Sequence, residues 1–139
     1  LESSVLQATL GDQLNALVTC QMKGSCKLPI KTLENLLKSP LRNPALSGQN
    51  RGATYSALSY YLVNIASDYP GALVAMHKGI EAAPQEFEYR LTLIEFLIAL
   101  QRFGEAAKQL AVLEQLDKLR VYAHEIERIK QTLSGLGSK

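Results

Sequence analysis

Apolar residues recur every three or four positions along most of the chain, the spacing that places them on one face of an α-helix. Ahead of the first cysteine this face comprises Val5, Leu6, Leu10, Leu14, Ala16 and Leu17. A shorter run follows Pro29, and its apolar face comprises Ile30, Leu33, Leu36 and Leu37. Pro40 is expected to end this second helix. No segment alternates apolar and polar residues as a strand does, so the pattern predicts an all-α fold.

Turn-forming residues concentrate between Ser39 and Asn50, where Pro40, Asn43-Pro44 and Ser47-Gly48 predict a loop. This loop separates a divergent front part, residues 1–50, from a more regular back part. A chain of 139 residues is long enough to bury one core without metal or many disulfides. We therefore expect a single domain spanning residues 1–139.

Residues 51–118 are expected to form two successive helix pairs. The first pair turns at Asp68-Tyr69-Pro70-Gly71, where Pro70 suits a helix start. The second pair turns at Arg102-Phe103-Gly104. A last amphipathic helix, residues 119–134, is expected to cap the pairs, and its apolar face comprises Leu119, Tyr122, Ile126, Ile129 and Leu133. The whole chain then holds about seven helices.

The two pairs repeat at a spacing of 34 residues, shown by Tyr69 and Phe103, Ala72 and Ala106, and Met76 and Leu110. This pattern resembles the tetratricopeptide (TPR) family, in which an aromatic residue ends the turn, a small residue permits close packing and a proline closes the repeat. Pro84 closes the first unit, whereas Leu113 and Lys118 depart from the family pattern. The resemblance implies antiparallel helix pairs stacked in a right-handed superhelix.

The layout of the whole chain resembles a narrower group as well. A cysteine-containing front helix precedes the loop Leu-Lys-Ser-Pro-Leu-Arg-Asn-Pro-Ala-Leu-Ser at 37–47, which in turn precedes the TPR-like pairs. These features are similar to the extracytoplasmic tails of bacterial multi-pass membrane proteins of the O-antigen polymerase and ligase type. The chain also begins without an initiator Met and lacks the basic start and apolar run of a signal peptide. We expect it to be the periplasmic part of a longer, membrane-anchored protein.

The only two cysteines, Cys20 and Cys26, are predicted to lie in one short loop, in which Gly24 and Ser25 allow the backbone to turn. We expect a disulfide between them, which would indicate an oxidising compartment. Two unrelated buried thiols and half of a metal site are the alternatives. Metal is disfavoured because no second Cys or His pair stands at ligand spacing.

Charge is unevenly distributed, although the net charge is only +2. Between Cys20 and Arg51 six basic residues (Lys23, Lys27, Lys31, Lys38, Arg42 and Arg51) accompany a single acid, Glu34. Such a segment suits phosphates, anionic lipid or acidic polysaccharide, and an ordinary solvated face is the alternative. The basic residues are not interleaved with aromatic residues, so we do not expect nucleic-acid binding.

Groups that could carry catalysis are sparse. His77 and His124 are distant in sequence, and the segment from His124 to Arg128 begins like the zinc-protease motif HExxH but ends in Arg. The chain contains neither a nucleophile elbow nor a glycine-rich phosphate loop. We therefore expect no enzymatic activity, no metal and no cofactor.

A groove is the remaining candidate site. The TPR resemblance implies that the first helix of each pair lines a concave face on which partners dock. The residues expected to line it are Tyr60, Asn64, Glu88, Arg90 and Glu95. The alternative is that Tyr60 and Tyr61 pack against the front helices.

The expected function is a non-catalytic domain that docks a protein or peptide, or positions a glycan for the membrane-embedded part of its own chain. Two alternatives stay open. One is a cytoplasmic adaptor or co-chaperone-like module with two free thiols, and the other is a structural module that self-associates.

Overall fold

A computed structural model describes residues 10–137 of the chain, and within this range it contains seven α-helices and no strand. The helices are α1 (Leu10–Met22), α2 (Ile30–Lys38), α3 (Gly48–Asn64), α4 (Tyr69–Ala82), α5 (Phe87–Ala99), α6 (Phe103–Leu116) and α7 (Ala123–Gly137). A 3₁₀ turn, Ser39–Arg42, follows α2. The predicted all-α class is confirmed. The predicted helical positions Val5 and Leu6 lie outside the described residues.

The chain divides into two compact units, the first running to Gln85 and the second beginning at Glu86. Helices α1 to α4 belong to the first unit, and α5 to α7 belong to the second. Helix α3 lies at the centre of the first unit, where it packs against α1, α2 and α4. In the second unit α6 packs against both α5 and α7.

The core of the first unit gathers apolar residues from all four of its helices. Its buried members are Leu14, Val18, Leu33, Leu37, Ala57, Leu58, Tyr61 and Ala75. Tyr61 is only 1% exposed and lies among residues of α1 and α2, the position that the packing alternative predicted for it. Burying a residue of this size stabilises the folded state by about 2 kcal/mol relative to leaving it exposed.

Small residues allow α3 to approach its neighbours closely. A Cβ atom built on Gly11 of α1 would lie 2.7 Å from the Cβ of Ala53 on α3, closer than two carbon atoms can approach. At the contact between α3 and α4, a Cβ atom on Gly79 would lie 3.3 Å from the carbonyl oxygen of Gly52. The spacing of the helices around α3 therefore depends on the absence of side chains at these contacts.

The loop predicted for residues 39–50 is shorter in the structure. Ser39–Arg42 form the 3₁₀ turn, and α3 begins at Gly48 because the Ser47 hydroxyl accepts a hydrogen bond from the Asn50 N–H (3.1 Å) and caps the helix. The Arg51 guanidinium donates to the carbonyl oxygen of Asn43 (2.9 Å) and ties this connection to α3. Several residues interpreted as loop formers are thus a helix cap and first-turn residues.

Helices α4 and α6 are both 14 residues long and start 34 residues apart, at Tyr69 and Phe103. The connections that precede them contain Ser67 and Gln101, each with a positive φ angle (53° and 62°). Ser67 and Gln101 are themselves separated by 34 residues, as the sequence shows. Backbone geometry therefore follows the period seen in the sequence at this pair of turns.

Helix α7 begins at Ala123, four residues later than the predicted start at Leu119. The reason is the buried carboxylate of Asp117, which accepts hydrogen bonds from the N–H groups of Val121 (2.9 Å) and Tyr122 (2.8 Å). These bonds hold residues 117–122 in a turn. Leu119, which was predicted to face the core, is consequently 88% exposed.

Candidate functional site

A concavity of about 380 Å³ opens between α1 and α3 in the first unit. Its lining residues are Asn15, Val18, Thr19, Met22, Tyr60 and Asn64. On α1, Val18 and Thr19 lie three and four positions after Asn15, and Met22 lies four and three positions after them. On α3, Tyr60 and Asn64 are four positions apart, so each helix presents one continuous face to the opening. We call this concavity the α1–α3 groove.

The groove combines an apolar floor with amide groups. Val18, which is 2% exposed, forms part of the floor, and Met22 and Tyr60 remain 53% and 37% exposed. The Asn64 side-chain amide donates a hydrogen bond to the Tyr60 carbonyl oxygen (2.9 Å), which fixes its orientation. Asn15 adds an exposed amide on the opposite helix. Apolar surface with two side-chain amides suits an extended peptide, because both the side chains and the backbone of a peptide could find partners there.

A disulfide between Cys20 and Cys26 lies beside the groove, with a Cα–Cα distance of 5.2 Å. The predicted pairing of the two cysteines therefore agrees with the structure. The prediction placed Cys20 in the loop. In the structure Cys20 lies in the last turn of α1, which continues to Met22. The N–H groups of Ser25 (3.0 Å) and Cys26 (3.2 Å) donate to the Cys20 carbonyl oxygen and turn the chain back.

Gln21 reinforces this turn. Its side-chain amide donates to the Leu28 carbonyl oxygen (3.0 Å) and accepts from the Leu28 N–H (3.1 Å). The disulfide and this pair of hydrogen bonds together hold the end of α1, where Thr19 and Met22 line the α1–α3 groove.

The predicted site residues divide between the two units. Tyr60 and Asn64 lie together in the α1–α3 groove, whereas Glu88, Arg90 and Glu95 lie on α5 in the second unit. The grouping of all five residues in one site stays a prediction. Asn15, Val18, Thr19 and Met22 were missed by the sequence analysis. Their helical spacing was the available signal, but the resemblance directed attention to the helix pairs that follow.

The residues of α5 at and beside these predicted positions lie in different surroundings. Phe87 packs edge-on against Tyr122 of α7, with ring centroids 5.9 Å apart. Burial raises the pKa of the Tyr122 phenol, and the nearby Glu88 carboxylate raises it further. Among the described residues, no hydrogen-bond partner faces the buried Nε atom of Arg90. Glu95 is exposed.

A second, shallower concavity of about 230 Å³ lies between α6 and α7. Ala107, Leu110, Ala111 and Leu133 supply its apolar surface. An ion pair between Lys130 and Glu114 (2.7 Å) spans its edge. Because these two charges are paired with each other, this smaller concavity offers mainly apolar surface.

Chemistry-bearing side chains are dispersed in the structure. His77 and His124 are both exposed and belong to different units. In residues 10–137 no group of three or more His, Cys, Asp or Glu side chains is arranged to hold a metal ion. The candidate site that remains among the described residues is the α1–α3 groove.

Comparisons with protein-family models, with curated proteins and with solved structures find no match to this chain. None of the helices in residues 10–137 has the length and apolar character required to cross a bilayer. The functional argument therefore rests on the groove, the disulfide and the distribution of charge.

Proposed function

We propose that this chain is a non-catalytic interaction domain of TPR-like repeats that docks a protein or peptide partner in the α1–α3 groove. The observation that carries the proposal is the groove itself, with Val18 at its floor and the exposed side chains of Met22 and Tyr60 beside it. Tyr is enriched where proteins bind partners, because its ring offers apolar area and its hydroxyl a hydrogen bond.

The repeat assignment is supported by the equal lengths of α4 and α6 and by their 34-residue separation. Ala72 and Ala106 are 1% and 0% exposed, and Met76 and Leu110 are 0% and 4% exposed. Each of these pairs has the burial that its TPR-like role requires: a small residue at a close contact and a large one in the core.

The proposed location is the extracytoplasmic side of a membrane, as part of a longer membrane-anchored protein. The Cys20–Cys26 disulfide supports it, because such bonds persist in oxidising compartments and are rare where thiols are kept reduced. A thiol count tests this point. After export, denaturation without reductant and alkylation, the protein should carry no alkyl group and weigh one pair of hydrogens less than its reduced form. Two alkylated thiols would instead favour the cytoplasmic adaptor.

Site-specific photo-crosslinking tests the docking function. A photoreactive phenylalanine replaces Tyr60 in one variant and Tyr69 in a control, because Tyr69 is similarly exposed (42%) but does not line the groove. In cells that express the protein, we expect a discrete adduct from position 60 and much less from position 69. The adduct should be digested by protease and should diminish when Asn15→Ala is added.

Other outcomes would contradict docking of a protein partner in the groove. Equal adducts at both positions would mean that the groove is not selective. An adduct that contains a second copy of the chain would favour the self-associating module. An adduct that resists protease but is removed by a glycosidase would identify a glycan as the occupant.

A further inference from the structure

We infer that the disulfide-closed loop and the start of α2 form a surface that docks on anionic phospholipid headgroups. We call this surface, residues 22–31, the lysine loop. It carries Met22, Lys23, Lys27, Ile30 and Lys31, all of which are exposed. This inference does not rest on partner docking in the α1–α3 groove, although Met22 belongs to both surfaces.

The loop is held in place by contacts with the rest of the first unit. The disulfide holds the Cα atoms of Cys20 and Cys26 5.2 Å apart, and the Gln21 side chain makes two hydrogen bonds with the backbone of Leu28. Leu28 also packs against the core of the first unit. Lys23 and Lys27 therefore project from a short constrained loop, so little conformational entropy is lost when the loop meets a surface.

The charge around this loop favours an anionic partner. No acidic residue lies between Asp12 and Glu34 in the sequence, while the same interval contains three lysines. Asp12 stands ten residues before Met22 on α1, which places it about 15 Å away along the helix axis. Glu34 is paired with Lys38 (2.6 Å) and is close enough to Lys31 for that lysine to lower its pKa. Lys23 and Lys27 are accordingly the main source of attraction.

Exposed apolar side chains flank the lysines, and they favour a membrane surface over a soluble polyanion as the partner. Met22 is 53% exposed and Ile30 is 56% exposed, one at each end of the loop. A soluble polyanion would use the lysines alone, whereas a lipid surface takes the ammonium groups at its headgroups and the apolar side chains at the acyl boundary. The combination of both types on one short loop therefore fits anionic lipid.

A second exposed apolar loop, also within residues 10–137, fits less well. Leu119 and Val121, between α6 and α7, are 88% and 68% exposed and alternate with Lys118 and Arg120. However, Arg120 shares a small concavity with the carboxylates of Glu114 and Glu127. These acids offset its charge and would repel an anionic surface, so the lysine loop is the stronger candidate.

Vesicle flotation of the 139-residue protein tests the inference directly. We expect the oxidised protein to float with phosphatidylcholine vesicles that contain phosphatidylglycerol and to remain unbound with phosphatidylcholine alone. Binding should fall as the salt concentration rises, because exposed charges are screened. The double variant K23Q/K27Q should bind at least about tenfold more weakly, since each lysine near an anionic surface contributes roughly a fivefold gain.

The matched control is K108Q/K118Q, which removes the same charge from exposed positions outside the lysine loop. It should bind within about twofold of the unaltered protein, because its lysines do not belong to the lysine loop. I30Q should weaken vesicle binding by roughly threefold through the loss of apolar contact. Its binding to a soluble sulfated polysaccharide should be unchanged. Circular dichroism of every variant establishes that the helices are retained.

Three results would overturn the inference. The first is a failure of the unaltered protein to bind anionic vesicles at low salt. The second is an equal loss in K108Q/K118Q and K23Q/K27Q, which would reflect net charge alone. The third is binding to the sulfated polysaccharide without binding to vesicles, which would identify a soluble polyanion as the partner.

Discussion

Tyr61 and Glu34 connect the interior of the first unit to its surface. The Tyr61 ring is buried in the core, and its hydroxyl lies 3.5 Å from a carboxylate oxygen of Glu34 on α2. Burial raises the pKa of Tyr61, and the charge of Glu34 raises it further. The hydrogen bond from Lys38 is the main cause that lowers the pKa of Glu34, while partial burial acts in the opposite direction. The charged form of Glu34 therefore favours the folded state.

The effect of Glu34→Gln should depend on pH. A carboxyl group whose pKa is lower in the folded state contributes stability above its unfolded pKa, and that stability disappears as the pH falls through the folded value. At neutral pH the variant should lose up to about 1 kcal/mol, the range for exposed ion pairs. Well below the folded pKa of Glu34, which itself lies below 4.5, the two proteins should be equally stable. Urea unfolding at both pH values measures the difference.

Lys38→Gln provides the control for this prediction. In that background Glu34 lacks its ion-pair partner, so adding Glu34→Gln should change the free energy of unfolding much less at neutral pH. A loss from Glu34→Gln that is as large in acid as at neutral pH would contradict the electrostatic account.

At the scale of elements, the close contacts of α3 with α1 and α4 depend on glycine residues, which have no side chain at the contact. Gly11 of α1 lies against Ala53 of α3, and Gly79 of α4 lies against Gly52 of α3. The contact between Gly11 and Ala53 also bears on the candidate site, because the same two helices line the α1–α3 groove. Any change in their separation should alter both the stability of the first unit and the shape of its site.

Gly11→Ala should destabilise the protein, although alanine favours helices. The added Cβ atom would lie 2.7 Å from the Cβ atom of Ala53, so the helices must move apart at a cost of about 1–3 kcal/mol. The matched control is Gly104→Ala on α6, where no atom lies within 4 Å of the added Cβ atom. That control should be neutral or stabilising by up to about 1 kcal/mol.

A compensating change makes the close-contact explanation specific. In an Ala53→Gly background the opposing Cβ atom is gone, so Gly11→Ala should be tolerated much better than in the unaltered protein. Denaturant unfolding of the four proteins gives the coupling free energy between the two positions. Additive effects of the two substitutions would show that the contact between α1 and α3 is not the cause.

At the scale of the whole molecule, the first unit carries its own core and its own disulfide. The core cluster from Leu14 to Ala75 draws only on residues before Gln85. A disulfide that closes so short a loop adds about 2 kcal/mol on the chain-entropy model. These features favour a unit that folds independently of the residues after it.

A protein ending at Gln85 should accordingly retain helical circular dichroism and unfold cooperatively in urea. Reduction of its disulfide should lower the free energy of unfolding by about 2 kcal/mol. A fragment that unfolds without cooperativity, while the full chain unfolds in one transition, would show that the first unit requires the second. In that event the single-domain prediction would be the better description.

The sequence predicted the helices best where local signals agree. For α2, the spacing of Leu33 and Leu37 and the position of Pro40 all point to a short helix, and the structure has both leucines fully buried. The prediction failed where one side chain outweighs the local pattern. The Ser47 hydroxyl caps α3 within a supposed loop, and the Asp117 carboxylate delays α7 within a supposed helix.

The site was predicted only in part for a similar reason. Tyr60 and Asn64 were found through their place on the first helix of a pair, but the α1 side of the groove was not. Which face of α1 meets α3 is set by contacts such as Gly11 with Ala53, between residues far apart in the sequence. Helical spacing alone does not reveal which distant face will lie opposite.

Helical periodicity, the 34-residue spacing and the approach of Cys20 to Cys26 were readable from the residues alone, because backbone geometry and short loops tie nearby positions together. The α1–α3 groove required the folded chain, since Asn15 and Asn64 come together only through the packing of two separate helices. The arrangement of the lysine loop also required the folded chain, because the two hydrogen bonds between Gln21 and Leu28 form only once the chain has turned back. Local periodicity selects the elements, and side-chain packing between distant residues selects the surfaces that they build.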